Sequence, residues 1–476
     1  MSEPALIALS EATEASCGRV RPVSSAAFAA LVAREPAWTP LAGFQDFAGQ
    51  AGRLVARIDE TGRPEALFGL GAAESLTPLS GRTLAGRLPP GDWMLAPESL
   101  AQFDEDQLAR FAGAFLMGLY GFDRFRSEKA RPGPRLAVPI GVHAEAHRLA
   151  QAAKLARDLV NRPANDLGPA ELEAEARLVA ERFGARASVV AGEALLEQGY
   201  PAIHAVGRAA APARSPRLIE IDWAGADARP DAPRLVIIGK GVTFDTGGLD
   251  LKPSPSMRLM KKDMGGAAHA LALAQMVMAR DLPVRLTLLI PAVENAVSGD
   301  AMRPGDVLAT RKGLSVEIGN TDAEGRLILA DALTRAAELS PDLTVDLATL
   351  TGAARIALGP EVIPFYTDDE DLAHEMDLAA RETEDPLWRM PLVNAYDEAL
   401  ESDIADLKND SDAWAQAGSI TAALFLRRFA PKGAWVHLDL FAWNPRKLPG
   451  RPAGAEVQAI RALDHLLSRR FGAAQT

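Results

Sequence analysis

Four consecutive apolar residues, Leu235-Val236-Ile237-Ile238, run directly into a glycine. A strand that is apolar on both faces needs a sheet covered on both faces, which is the habit of parallel strands flanked by helices. The pattern then repeats. Gly265 to Arg280 has the length and apolar content of a helix, Val284 to Ile290 those of a strand, and Thr344 to Leu350 and Trp435 to Leu440 those of two more strands. This alternation predicts an α/β fold on a mixed, mostly parallel sheet. Ligands of such sheets collect beyond the carboxyl ends of the strands, so the residues that follow each strand carry the chemistry.

Upstream, residues 1–130 read as a smaller N-terminal α/β domain, with a helix from Ala26 to Ala33, a strand from Leu54 to Ile58 and a helix from Asp106 to Phe122. Gly69-Leu70-Gly71 lacks the third glycine and the partner acid of a dinucleotide loop and reads as a strand giving way to a turn. Residues 131–160, opening on Arg131-Pro132-Gly133-Pro134, read as a linker and a connecting helix, and residues 161–476 as the larger domain. Pro169 to Phe183 reads as a helix, and the Ala- and Pro-rich stretch from Arg208 to Arg234, around a short strand at Leu218–Ile221, as surface.

Composition narrows the function. The formal net charge of -12 argues against a phosphate backbone as main partner. Cys17 is the only cysteine, so there is no intrachain disulfide and no multi-cysteine zinc site. No apolar run approaches the ~18 residues of a membrane helix. Met1-Ser2-Glu3-Pro4 carries no basic leader, and the expected location is the cytoplasm.

Asn320-Thr321-Asp322-Ala323-Glu324-Gly325-Arg326-Leu327 lies between a strand-like segment, Leu314–Ile318, and a helix-like one. An acid pair two residues apart on extended chain points to one side, where the two repel unless a cation joins them. Two other loops supply further charges: Lys240 and Asp245 in Gly239–Gly248, then Lys252 and Asp263 ahead of the Gly265 helix. Four carboxylates balance two divalent cations and leave Lys252 and Arg326 to face a substrate or a developing oxyanion. An oxygen-rich set without His or Cys suits Mn²⁺, Mg²⁺ or Co²⁺, with Zn²⁺ also compatible. The histidines are bland by comparison. His269 reads as a packing residue on a helix, and His437 as a structural hydrogen bonder in a strand.

These stretches resemble the leucyl aminopeptidase family of dinuclear metallopeptidases. Asn320 to Leu327 is similar to its eight-residue signature throughout, and Gly239–Asp245, Lys252-Pro253 and Met260–Ala267 match its other site motifs in order and spacing. The resemblance covers roughly residues 150 to 445. It implies a two-domain exopeptidase that removes the N-terminal residue of short peptides through attack by a hydroxide bridging two metals. It implies Lys240, Asp245, Asp263, Asp322 and Glu324 as metal ligands, Mn²⁺ or Zn²⁺ as the usual ions, Lys252 as the group holding the carbonyl, and Arg326 as the holder of a bicarbonate base. It also implies a homohexamer, and Met260, Thr349, Leu350 and Gly352 as lining for the first side chain. Phe441 joins that lining, but it stands where many members have a small residue, and this puts a leucine preference in question. The competing readings are a two-metal phosphoesterase, a DNA-binding or regulatory relative in which peptidase activity is secondary, and a silent relative.

Overall fold

The computed structural model describes residues 5–11, 17–128, 132–410 and 416–472. Met1–Pro4 and Arg131, which figure in the sequence reading, lie outside the described residues. The chain divides into two compact units. One comprises residues 1–154 with 444–453, and the other 155–443 with 454–476.

The first unit holds a six-stranded sheet, ordered Leu6–Ala8, Pro134–Val138, Gly91–Leu95, Gly18–Ser24, Pro64–Gly71, Leu54–Ile58. Pro134–Val138, inside the segment expected to connect the domains, is a full member of this sheet, pairing with both Leu6–Ala8 and Gly91–Leu95. Gly69 and Gly71 close the strand Pro64–Gly71, which gives way to a turn at Ala72. Their amides donate to Arg53 O and Gly49 O at 2.8 Å. The helix Glu105–Gly118 begins at a capping box of Asp104 and Gln107, and buries Leu108, Phe111 and Phe115 against the sheet.

The second unit is organised by four adjacent parallel strands: Ala434–Asp439, Leu343–Ala348, Arg234–Gly239 and Arg285–Asn295. Antiparallel strands extend it on either side, Ile363–Tyr366 on one and Arg217–Ala224 on the other. The expected surface segment around Leu218 is therefore an interior strand. Leu218, Ile219 and Ile221 are buried, because both neighbours, Arg285–Asn295 and Arg186–Ala191, pair with it. The helix Gly265–Ala279 is buried on every side and packs on the central strands. That packing requires glycine: a Cβ on Gly266 would lie 2.1 Å from Leu347 O.

Gly239–Gly248 is not one loop. Gly241–Asp245 is a second strand alongside Arg285–Asn295, in the register of Arg234–Gly239 through Val242 and shifted by one residue at Asp245. Continuing the first register sets Pro291 opposite Lys240. Lys240 gives its amide to Leu347 O of the next strand at 2.9 Å, and its carbonyl accepts from Ala267 N at 2.8 Å. Its side chain is thereby delivered at the carboxyl edge of the sheet.

Gly266→Ala is expected to destabilise the fold by about 1–3 kcal/mol, the range for overpacking a filled interior, as read by urea denaturation. A midpoint equal to that of the unaltered protein would show that the helix is free to move off the sheet.

Candidate metal centre

The strand ends converge. Lys240 follows Arg234–Gly239, Asp245 closes Gly241–Asp245, Asn295 closes Arg285–Asn295, and Thr349 follows Leu343–Ala348. Asp263 ends a 3₁₀ turn, Met260–Lys262, and Glu324 immediately precedes the helix Gly325–Glu338. Asp322 and Glu324 do reach one site, but not along extended chain. Thr321-Asp322 form a turn and Glu324 already has helical dihedrals. The turn is tied down by contacts distant in sequence. Thr321 Oγ1 donates to Gly247 O at 2.6 Å, and Asn295 Nδ2 donates to both Thr321 O (3.1 Å) and Asp245 Oδ1 (2.9 Å).

Lys240, 3% exposed, places its ammonium 2.7 Å from Asp263 Oδ2 and 2.9 Å from Glu324 Oε1, and donates to Thr349 O at 3.0 Å. Gly325 makes room for it, since a Cβ there would meet Lys240 Nζ at 2.6 Å. Lys252 spans Asp245 Oδ2, at 2.8 Å, and Asp322 Oδ1. Thr349 Oγ1 donates to Asp263 Oδ1 at 2.9 Å.

Acids still outnumber lysines. Asp263 Oδ2 and Glu324 Oε1 face Lys240 without an aligned hydrogen bond, Asp322 Oδ1 stands likewise to Lys252, and Glu324 Oε2 has no partner among the described residues. Ligand oxygens of Asp245, Asp322 and Glu324 come within 4.8 Å of one another. Buried carboxylate oxygens short of donors and crowded together are the donor set that a hard or borderline divalent ion satisfies. The four carboxylates expected to hold metal, Asp245, Asp263, Asp322 and Glu324, thus fit such ions.

The charges shift the local acidities. Burial first, and then Asp245, push the Glu324 carboxyl up to about 8. Burial and Asp245 likewise raise Asp322 to about 6. Asp263, although buried, is held below its ordinary value by Lys240 and Lys262. Burial alone would lower Lys240, but Asp263, Glu324 and Asp245 outweigh it and keep the amine protonated.

Arg326 is buried and donates to Asn409 O at 2.6 Å, while its Nε has no partner among the described residues. Burial lowers its pKa. Of the expected substrate-pocket residues, Thr349 touches Asp263, Leu350 gives its amide to Asp439 Oδ1 at 3.0 Å, Met260 opens the 3₁₀ turn before Asp263, and Gly352 starts the helix Gly352–Leu358. Phe441 follows Ala434–Asp439, with the Lys262 ammonium 5.1 Å and the Arg355 guanidinium carbon 4.6 Å from its ring centroid. Lys262 and Arg355 escaped the sequence reading, although Lys262 sits beside Asp263 in the quoted motif. His269 is structural, accepting from Gln458 N at Nε2 and donating from Nδ1 to Gly265 O. His437 pairs with Asp346 inside the sheet.

Comparison with known proteins adds the following. Residues 154–463 match the model of the cytosol aminopeptidase family, catalytic domain. A protein of Syntrophotalea carbinolica named "Probable cytosol aminopeptidase" is 40% identical over 370 residues, 74% of this chain and 73% of its own length. The crystal structure of a cytosol aminopeptidase from Coxiella burnetii superposes with a TM-score of 0.89 at 41% identity, covering 97% of this chain and 98% of that one. The bottromycin maturation enzyme BotP, in complex with Mn, superposes at 0.83 with 34% identity over 95% and 99% of the two chains.

Glu324 keeps its proton in the fold to about pH 8 and loses it near 4.5 when unfolded. A raised folded value makes this contribution to stability complete below 4.5 and lost as pH rises through 8. The chelator-stripped protein is therefore expected to lose thermal stability over that window. Mn²⁺ at a hundredfold excess over Kd should restore about 2.7 kcal/mol. Loading near pH 7 should also release protons, read by calorimetry in buffers of different ionisation enthalpy. No proton release would show that Lys240 and Glu324 do not give up protons to the ions.

Proposed function

The chain belongs to the cytosol aminopeptidase family and is a metal-dependent aminopeptidase; from that premise we propose how its own residues divide the work. Lys240, Asp245, Asp263, Asp322 and Glu324 hold two divalent ions. The observation that carries this reading is the buried carboxylate cluster whose oxygens lack donors. Mn²⁺ is the favoured ion, on the oxygen-rich donor set and on the Mn complex of BotP. Two such ions, when bound, acidify water and polarise a carbonyl.

The substrate's free N-terminal amine is anchored at the acidic centre, and this restricts cleavage to the first peptide bond. Lys252 has three N–H bonds, two of which face Asp245 and Asp322. The third is left to donate to the carbonyl oxygen as negative charge gathers there. Arg326 stays protonated and cannot itself be a base. Its Nε, without a partner among the described residues, would hold an anion such as bicarbonate, which would supply a general base. Met260, Thr349, Leu350, Gly352 and Phe441 border the first side chain. We also propose a cytoplasmic homohexamer, as is common in the family. No helix among the described residues is long and apolar enough to cross a membrane. Nothing in the site favours nucleic acid, and the net charge of -12 opposes it.

Glu324→Gln keeps the shape of the side chain and removes its charge. It is expected to abolish turnover of leucyl-p-nitroanilide while the thermal midpoint of the stripped protein moves little. Lys252→Ala is expected to lower kcat by about 10²–10³, the cost of losing one oxyanion donor. Wild-type turnover by Glu324→Gln would refute the ligand assignment.

A further inference from the structure

We propose that Lys262 and Arg355, gathered on the Phe441 ring, make the pocket for the substrate's first side chain select aspartate and glutamate over leucine. This rests on the aminopeptidase reading above and names its substrate class.

Lys262 is 2% exposed, yet among the described residues no carboxylate oxygen lies within ion-pair distance of its ammonium. Its one aromatic contact is Phe441. Arg355 is half-buried on the helix Gly352–Leu358, and its one hydrogen bond is a long 3.4 Å donation to Thr351 O. It too has no carboxylate partner among the described residues and lies over the same ring. Lys262 stands beside the metal centre, and Arg355 shares the Phe441 ring with it. Lys262 adjoins Asp263 in the chain, and a Cβ on Gly352 would lie 3.6 Å from Arg355 Nη2.

A buried ammonium without a counter-ion is costly, and a cation–π contact offsets only part of that cost. Two such cations beside one site are a receptor lacking its anion. The side-chain carboxylate of an N-terminal aspartate or glutamate supplies it, through charge-assisted hydrogen bonds to both. A leucyl side chain in that place would desolvate the cations further and give nothing in return, and a lysyl side chain would add a third positive charge. Phe441 offers the ring face on which both cations rest.

The test is kcat/KM of the Mn²⁺-loaded full chain on α-glutamyl-, α-aspartyl-, leucyl-, alanyl- and lysyl-p-nitroanilide, repeated for Arg355→Gln and Lys262→Met. Glutamyl and aspartyl substrates should exceed leucyl at least tenfold, with lysyl poorest. Each variant should lower the glutamyl-to-leucyl ratio at least tenfold, mainly through KM. Arg355→Gln, on a helix apart from the metal ligands, decides the matter if Lys262→Met loses metal. Leucyl turnover equal to or above glutamyl in the unaltered enzyme, or an unchanged ratio in Arg355→Gln, overturns the proposal and leaves the aminopeptidase reading standing. Failure on every substrate would overturn both.

Discussion

The whole centre depends on one electrostatic constraint: acids brought together out of water must be neutralised. Asp245, Asp263, Asp322 and Glu324 crowd one another, and Lys240 and Lys252 supply only half the positive charge that the four would need. Much of the surrounding architecture serves to keep this arrangement from relaxing. Thr349 and Asn295 each donate to one of the acids, Gly325 yields space to the Lys240 stem, and the Thr321 hydroxyl holds the turn that carries Asp322. A carboxylate free to swing out to water would do so, because hydration is worth more to it than a crowded site. Strand ends and short turns remove that freedom.

The sheet sets the positions. Strands ordered 434, 343, 234 and 285 in space finish along one edge, and each hands a functional side chain to the residue at or just past its end. Lys240 is fixed by its backbone, its amide donating to Leu347 O of the neighbouring strand and its carbonyl accepting from Ala267 N of the Gly265 helix. The close approach of the Gly265 helix to Leu347 brings Asp263, just before that helix, level with the strand ends.

Much of this was legible in the residues. Apolar strands buried on both faces announce themselves, and so do the helices between them. The residues proposed as ligands, with Lys252 and Arg326, stand in local motifs that gather acids and cations at the strand ends. What stayed hidden was non-local. The Leu218 strand looked superficial because its flanks are rich in Ala and Pro, whereas burial comes from partners that arrive later in the chain. The Asp322–Glu324 pair was expected on extended chain, and only the contacts of Thr321 with Gly247 and Asp250 make it a turn. Lys262 and Arg355 passed unnoticed because a lone lysine or arginine reads as surface. That one is buried, and that both meet on Phe441, is a fact of three dimensions.

The place of Ala434–Asp439 within the sheet has a consequence for the life of the molecule. It is among the last strands to be made, yet it lies between Ile363–Tyr366 and Leu343–Ala348 rather than at an edge. Leu350 and Thr351 depend on Asp439 for their amide partner, so the loop bordering the ligands is not braced until that strand is in place. During translation, nearly the entire polypeptide must leave the ribosome before the centre is whole. The bracing of this loop is thus among the last contacts that the growing chain can make.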